Sequence, residues 1–106
     1  MDEDLENQLK QEYPEIYSED FTFECLDGWY PLIDATSHIL ATHRETREDL
    51  QIRQIKEKYG ELRIHPNLSY GERSHVVTGA IELAKFMSVN YPYLTSLTLR
   101  EEGACQ

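Results

Sequence analysis

LQIRQIKEKYGELRIHP, residues 50–66, has the pattern of two β-strands joined by a tight turn. Apolar residues enrich both arms, with Leu50, Ile52 and Ile55 in the first and Leu62 and Ile64 in the second. Tyr59-Gly60 lies between the arms, and glycine tolerates the positive φ that a tight hairpin turn requires. Because Ile52 and Ile55 break strict alternation, we expect a bulge here or a strand that is covered on both faces.

The residues before the hairpin predict a first helix from Asp2 to Tyr13. Leu5 and Leu9 lie one helical turn apart, and acidic residues at the start suit the positive end of a helix dipole. Pro14 ends this helix, because proline lacks a backbone donor and restricts the residue before it. In the connector that follows, Thr22–Cys25 predicts a short strand.

Two further helices are predicted, one before the hairpin and one after it. The second starts at Asp27, a good N-cap residue, and extends to about residues 44–46. The third starts at Ser69–Glu72, which matches the capping box, and ends near Asn90. Residues 94–100 form either a short edge strand or an irregular tail. The elements together predict an α+β fold, with about three helices packed on a β-hairpin or small antiparallel sheet.

The length of 106 residues predicts one domain, 1–106, with an acidic helix and connector at 1–20 and a frayed tail at 101–106. No apolar run approaches the roughly 20 residues of a membrane helix, and the acidic start excludes a secretory signal. We therefore expect a protein of the cytoplasm without membrane contact. Cys25 and Cys105 are expected to be free thiols there, although pairing them would close most of the chain into a loop.

The net charge of −10 is concentrated in residues 1–27, where ten acidic residues face one base, Lys10. Phosphate contacts require a basic surface, so direct binding to nucleic acid is not expected. An acidic segment attracts a partner with a basic surface, although acidic residues also serve simple solubility. The predicted partner contacts are Asp2, Glu3, Asp4, Glu6, Glu12, Glu15, Glu19 and Asp20.

Asp27-Gly28-Trp29-Tyr30 is the most distinctive short motif of the chain. A cap, a tight backbone position and a core tryptophan account for its first three residues. Tyr30 points elsewhere, because neighbours on a helix lie about 100° apart, and is added to the predicted partner contacts.

The sequence contains no complete set of catalytic or metal-binding residues. His38 and His43 are five residues apart, so they lie about 140° apart on a helix and do not chelate together. A metal site or active site would require His65, His75 and a carboxylate or Cys25 to converge. The acids flanking Cys25 oppose the low pKa that a nucleophilic thiol needs. We predict no enzymatic activity, no metal and no cofactor.

Two stretches resemble a family of small uncharacterised proteins of bacteriophages and prophages. FECLDGWYPLID (residues 23–34) is similar to the family's ECGDGW element, and QIKEKYGELRI (residues 54–64) to its VKEKFGGLRF hairpin. The resemblance implies a phage or prophage origin and no particular activity. Leu26 replaces the family's glycine, and residues 89–94 lack the Cys-x-x-Cys ending of many relatives, so no metal role is carried over.

These observations favour a non-enzymatic accessory protein that binds a host protein with a basic surface. One version is an acidic inhibitor of a host nucleic-acid-binding or defence protein, in the manner of an anti-CRISPR. The alternatives are a structural or regulatory module that forms a homodimer, and an immunity protein that neutralises a basic toxin.

Overall fold

The described part of the chain contains three α-helices and a three-stranded sheet, which confirms the predicted α+β class. The computed structural model of the chain describes residues 1–46 and 49–91. The elements are α1 (Glu3–Glu12), β1 (Phe23–Glu24), α2 (Tyr30–Thr42), β2 (Ile52–Lys58), β3 (Glu61–Pro66) and α3 (His75–Asn90). Short 3₁₀ turns flank α2, over Asp27–Trp29 and His43–Thr46. The predictions for Cys105 and for residues 94–106 lie outside the described residues.

The sheet contains the predicted hairpin and one strand in an unexpected direction. β2 pairs with β3 antiparallel, and both residues of the turn have positive φ, 56° at Tyr59 and 76° at Gly60. Such a turn matches the right-handed twist of the two strands. The register shifts between Ile52 and Gln54, which confirms the expected bulge. β1 lies parallel to β2 on its other side, with Phe23 opposite Ile55, so the sheet is mixed and not purely antiparallel.

One hydrophobic cluster joins the sheet to the helices. Ile55 on the central strand is fully buried, and Leu62 and Ile64 on β3 lie in the same cluster. α3 contributes Val77, Ala80, Ile81 and Ala84, which recur at the spacing of one helix face. Because β1 pairs with β2, the connector that follows α1 lies against the central strand of the sheet.

The start of α2 differs from the prediction. Asp27 was expected to cap this helix, but α2 has no side-chain cap at its N-terminus. The Asp27 carboxylate instead accepts the backbone N–H of Asp2 at 2.6 Å, immediately before α1. Asp2 in turn caps α1 by accepting the Asp4 N–H at 3.2 Å. Asp27 and Asp2 therefore both accept backbone N–H groups at the positive end of α1.

The start of α3 also differs from the prediction. The Glu72 carboxylate accepts the Ser69 N–H at 3.0 Å, as in a capping box, but these residues form a turn. The helix begins at His75, and its cap is Ser74, whose hydroxyl accepts the Val77 N–H at 3.2 Å. Val77 is also the first buried residue of α3. The burial of the apolar face therefore favours a helix that starts after Ser74 over one that starts after Ser69.

Ser88 connects α3 to the edge of the sheet. Its buried hydroxyl accepts the backbone N–H of Leu62 on β3 at 2.9 Å and donates to the Lys85 carbonyl at 2.7 Å. Leu62 thereby has a partner for an N–H on the side of β3 that faces away from β2, where no strand of residues 1–46 and 49–91 pairs with it. Part of this sheet edge is closed by the protein's own helix.

We expect Ser88→Ala to lower the free energy of unfolding by about 1–3 kcal/mol, because it leaves a buried N–H without an acceptor. Urea unfolding followed by circular dichroism measures the loss. Thr42→Ala is the matched control, since its exposed hydroxyl bonds only the His38 carbonyl of its own helix. Equal losses in the two variants would contradict the assigned role of Ser88.

Candidate functional site

The acidic segment, residues 1–27, forms a surface made of α1 and the connector to α2. Most of the predicted contact residues in it have exposed side chains, namely Asp2, Glu3, Asp4, Glu12, Glu19 and Asp20. Glu6 and Glu15 are half-buried. The structure therefore leaves most of these carboxylates open to a second molecule, and their contact with a partner stays a prediction.

Some of these acids also hold the segment together. Asp2 caps α1, and Glu6 accepts the backbone N–H of Phe23 on β1 at 2.7 Å. Asp20 accepts the hydroxyl of Ser18 at 2.9 Å in the connector. Glu3 and Glu19 are the exposed acids best suited to substitution, because their side chains take no part in these bonds. Glu12 is less suitable, because its carboxylate interacts with the Tyr13 phenol.

The one base of the segment is directed at the backbone. The Lys10 ammonium donates to the carbonyls of Glu19 at 2.8 Å and Phe21 at 3.0 Å. These bonds fold the connector back against α1. Two of the three N–H donors of the ammonium are thereby bonded to carbonyls.

Two tyrosines fasten the acidic segment to α2. The Tyr13 hydroxyl donates to Asp34 Oδ1 at 2.7 Å, and the hydroxyls of Tyr17 and Ser37 share a buried hydrogen bond of 2.6 Å. Burial is the largest cause of the raised pKa of both Tyr17 and Tyr13. The Asp34 carboxylate adds to the rise in the pKa of Tyr13. Both phenols therefore stay protonated at neutral pH. Sequence reasoning missed Ser37, which lies within the buried stripe of α2.

Trp29 and Tyr30 lie beside the core. Both side chains are half-buried against it, which supports the structural interpretation of Trp29. The Tyr30 hydroxyl donates to Gln8 Oε1 on α1 at 3.0 Å. Burial raises the pKa of Tyr30, with Asp34 and Glu12 as further causes. Tyr30 thus borders the acidic surface and helps to position α1, while its contact with a partner stays a prediction.

The residues considered for chemistry lie in unfavourable surroundings or apart. Burial raises the pKa of the Cys25 thiol to about 11, and nearby Glu6 and Asp27 add to the rise, so the thiol is protonated and inert at neutral pH. Burial and then four neighbouring cations lower the pKa of His65. Within residues 1–46 and 49–91, no three His, Cys, Asp or Glu side chains converge on a metal site.

A second surface lies between α2 and α3, and the sequence reasoning did not identify it. The two helices border an apolar groove of about 240 Å³. Pro31, Ala35 and Ile39 line it from α2, and Ala80, Leu83 and Met87 from α3. Leu83 and Phe86 are 54% and 55% exposed beside it. Both residues fall outside the buried face formed by Val77, Ala80, Ile81 and Ala84, and their spacing in the sequence is enough to show this.

Comparison with known proteins adds no relative: no family model, no curated protein and no solved structure matches the chain. In the described part of the chain, no helix combines the length and the apolar character needed to cross a membrane.

Proposed function

We propose that this chain is a non-enzymatic accessory protein of a phage or prophage that binds a basic surface of a host protein through its acidic segment. The binding would take place in the cytoplasm of the host cell. Competition for Lys and Arg residues that otherwise contact phosphates would make the protein an inhibitor of a nucleic-acid-binding or defence protein, as an anti-CRISPR is.

One observation carries the proposal. The exposed carboxylates of the acidic segment all lie on α1 and the connector that follows it, while Lys10, the one base there, is bonded to the carbonyls of Glu19 and Phe21. Such a surface produces a strong negative potential that steers a basic partner toward it. The tyrosine bonds to Asp34 and Ser37 fix this surface to α2, which lowers the entropy lost on binding.

Affinity capture from host lysate, with two matched variants, tests the proposal. Glu3→Lys/Glu19→Lys reverses two exposed charges within the acidic segment. Glu82→Lys/Glu102→Lys makes the same change of charge outside it, with Glu82 exposed on α3. We expect the wild-type chain to capture a basic protein at about 50 mM salt and to release it by about 500 mM, because salt screens exposed charges.

The first variant should reduce the captured amount at least about tenfold, and the second should leave it nearly unchanged. The captured protein is then identified by mass spectrometry and its binding to the purified chain is measured. Capture that resists salt, or that both variants reduce equally, would contradict a specific role for the acidic segment.

A further inference from the structure

Charge is scarce on the two helices that border the apolar groove. α2 has one formally charged residue, Asp34, in 13 residues, and α3 has two, Glu82 and Lys85, in 16. In the whole chain 28% of residues are charged, so the two helices are depleted about threefold. Asp34 also accepts the Tyr13 hydroxyl, which turns its carboxylate toward α1. Surface helices normally place charge on their outer face, whereas buried interface cores lack it.

The outer face of α3 carries large apolar side chains where charge is expected. Leu83 and Phe86 are three residues apart, which places them on the same face of the helix. Lys85 lies about 160° around the helix from Leu83, whereas the exposed Glu82 lies about 40° from Phe86, at the edge of this face. Two protruding apolar side chains therefore stand beside an apolar recess on one continuous surface.

The size of the recess indicates what fills it. Pockets for small-molecule ligands usually have volumes of about 300–1,000 Å³, and the groove has about 240 Å³. Its lining is apolar, with Ala80, Ala84 and Ala35 keeping it open. A groove of this size and character accepts one or two apolar side chains better than a polar ligand.

We infer that the α2–α3 face is a homodimer interface in which Leu83 and Phe86 of each chain enter the groove of the other. A two-fold contact pairs a patch with itself, so the same patch must supply both the protrusion and the recess, and this face does. Helices of 13 and 16 residues are about 20 and 24 Å long, and side by side they are about 20 Å wide. Two such faces bury on the order of 1,000 Å², near the lower limit for a specific interface.

The dimer is distinct from the proposed binding of a basic partner, and salt separates the two. Each chain has a net charge of −10, so two chains repel each other and added salt strengthens their contact by screening. Binding through the acidic segment weakens with salt for the same reason. The inferred interface also leaves α1 and its carboxylates outside the contact.

Sedimentation velocity of the full chain between about 1 and 200 µM tests the inference, with dissociation expected in the micromolar range. Leu83→Glu and Leu83→Lys place opposite charges at an exposed position and should each weaken the dimer at least about tenfold. Leu26→Glu is the matched control, because Leu26 is 85% exposed and lies outside α2 and α3. Circular dichroism checks that each variant keeps its helical content.

A dimer that persists in both Leu83 variants, or that Leu26→Glu disrupts to the same extent, would overturn the inference. So would a wild-type chain that stays monomeric throughout the concentration range. If Leu97→Ser/Leu99→Ser made such a monomer dimerise, the groove would belong to the chain's own residues 92–106 and not to a second copy. A wild-type dimer that weakens as salt rises would equally exclude an apolar contact between these like-charged chains.

Discussion

Leu9→Ala should lower the free energy of unfolding by about 3 kcal/mol, the usual cost of truncating a fully buried leucine. Leu9 is the buried residue of α1, with 0% of its side chain exposed. Other bonds of α1 to the rest of the protein, such as those of Glu6 and Lys10, are partly exposed and contribute less. Within the acidic segment, the position of α1 itself thus depends largely on the burial of Leu9.

Urea unfolding measures the loss of stability, and amide hydrogen exchange shows where it falls. We expect the amides of residues 3–12 to exchange much faster in Leu9→Ala. The amides of β2 and β3 should accelerate only as far as the loss of global stability requires. Leu5→Ala is the matched control on the same helix, because Leu5 is only half-buried and should cost less than about 1 kcal/mol. Equal effects at positions 5 and 9 would contradict this account of how α1 is held.

The variant also bears on the proposed function. If partner binding needs the carboxylates in a fixed arrangement, Leu9→Ala should weaken capture although it removes no charge. If the acidic segment acts only through its total charge, capture should be unchanged. The comparison therefore separates a shaped binding surface from a merely solubilising one.

The parts of the fold that sequence predicted are those with local signals. Gly60 permits the turn, the apolar residues of both arms mark the strands, and Pro14 follows the end of α1. Each of these effects operates within a few residues of the chain. The bulge near Ile52 was also visible, because it interrupts the alternation along the strand itself.

The parts that sequence could not predict depend on residues far apart in the chain. The parallel pairing of Phe23 with Ile55 and the bond from Tyr17 to Ser37 join positions 32 and 20 residues apart. Asp27 has the chemistry of a cap, but the structure uses it at a helix that begins 24 residues earlier. The sequence shows that the Asp27 carboxylate can accept a backbone N–H, and only the folded arrangement specifies which N–H it meets.

The same distinction applies to the two candidate surfaces. Residues 1–27 are acidic in the sequence itself, so the acidic surface was predictable as a segment, although not the structural bonds of Asp2 and Glu6. The α2–α3 groove arises from the packing of two helices whose relative position the sequence does not give. Its outer residues, Leu83 and Phe86, were readable only as an excess of apolar residues over one face.

Above about pH 10 the protein should lose stability steeply, and Tyr17→Phe should make the loss shallower. Burial raises the pKa of Tyr17 in the folded state, while the phenol of the unfolded chain ionises near its ordinary value of 10.0. The unfolded state therefore binds fewer protons than the folded state once the pH exceeds 10, and unfolding becomes more favourable as pH rises. One such group contributes up to about 1.4 kcal/mol per pH unit.

At pH 7, by contrast, the Tyr17→Phe variant should be less stable than the wild type. Tyr17→Phe removes the partner of the buried Ser37 hydroxyl and should cost about 1 kcal/mol. As pH rises above 10, the free energy of unfolding of the wild type falls because Tyr17 stays protonated only in the folded state. The variant lacks this phenol and this part of the loss. The two stability curves should therefore cross near about pH 11, one unit above the onset.

Urea unfolding at several pH values between about 7 and 11.5 measures both slopes. Tyr59→Phe is the matched control, since its phenol is 90% exposed and should not change the slope. Cys25 contributes its own decline between its ordinary pKa of 9.0 and its folded value of about 11, so Cys25→Ala should delay the first part of the loss. If Tyr17→Phe ran parallel to the wild type above pH 10, the phenol of Tyr17 would ionise in the folded protein and its burial would not hold it protonated.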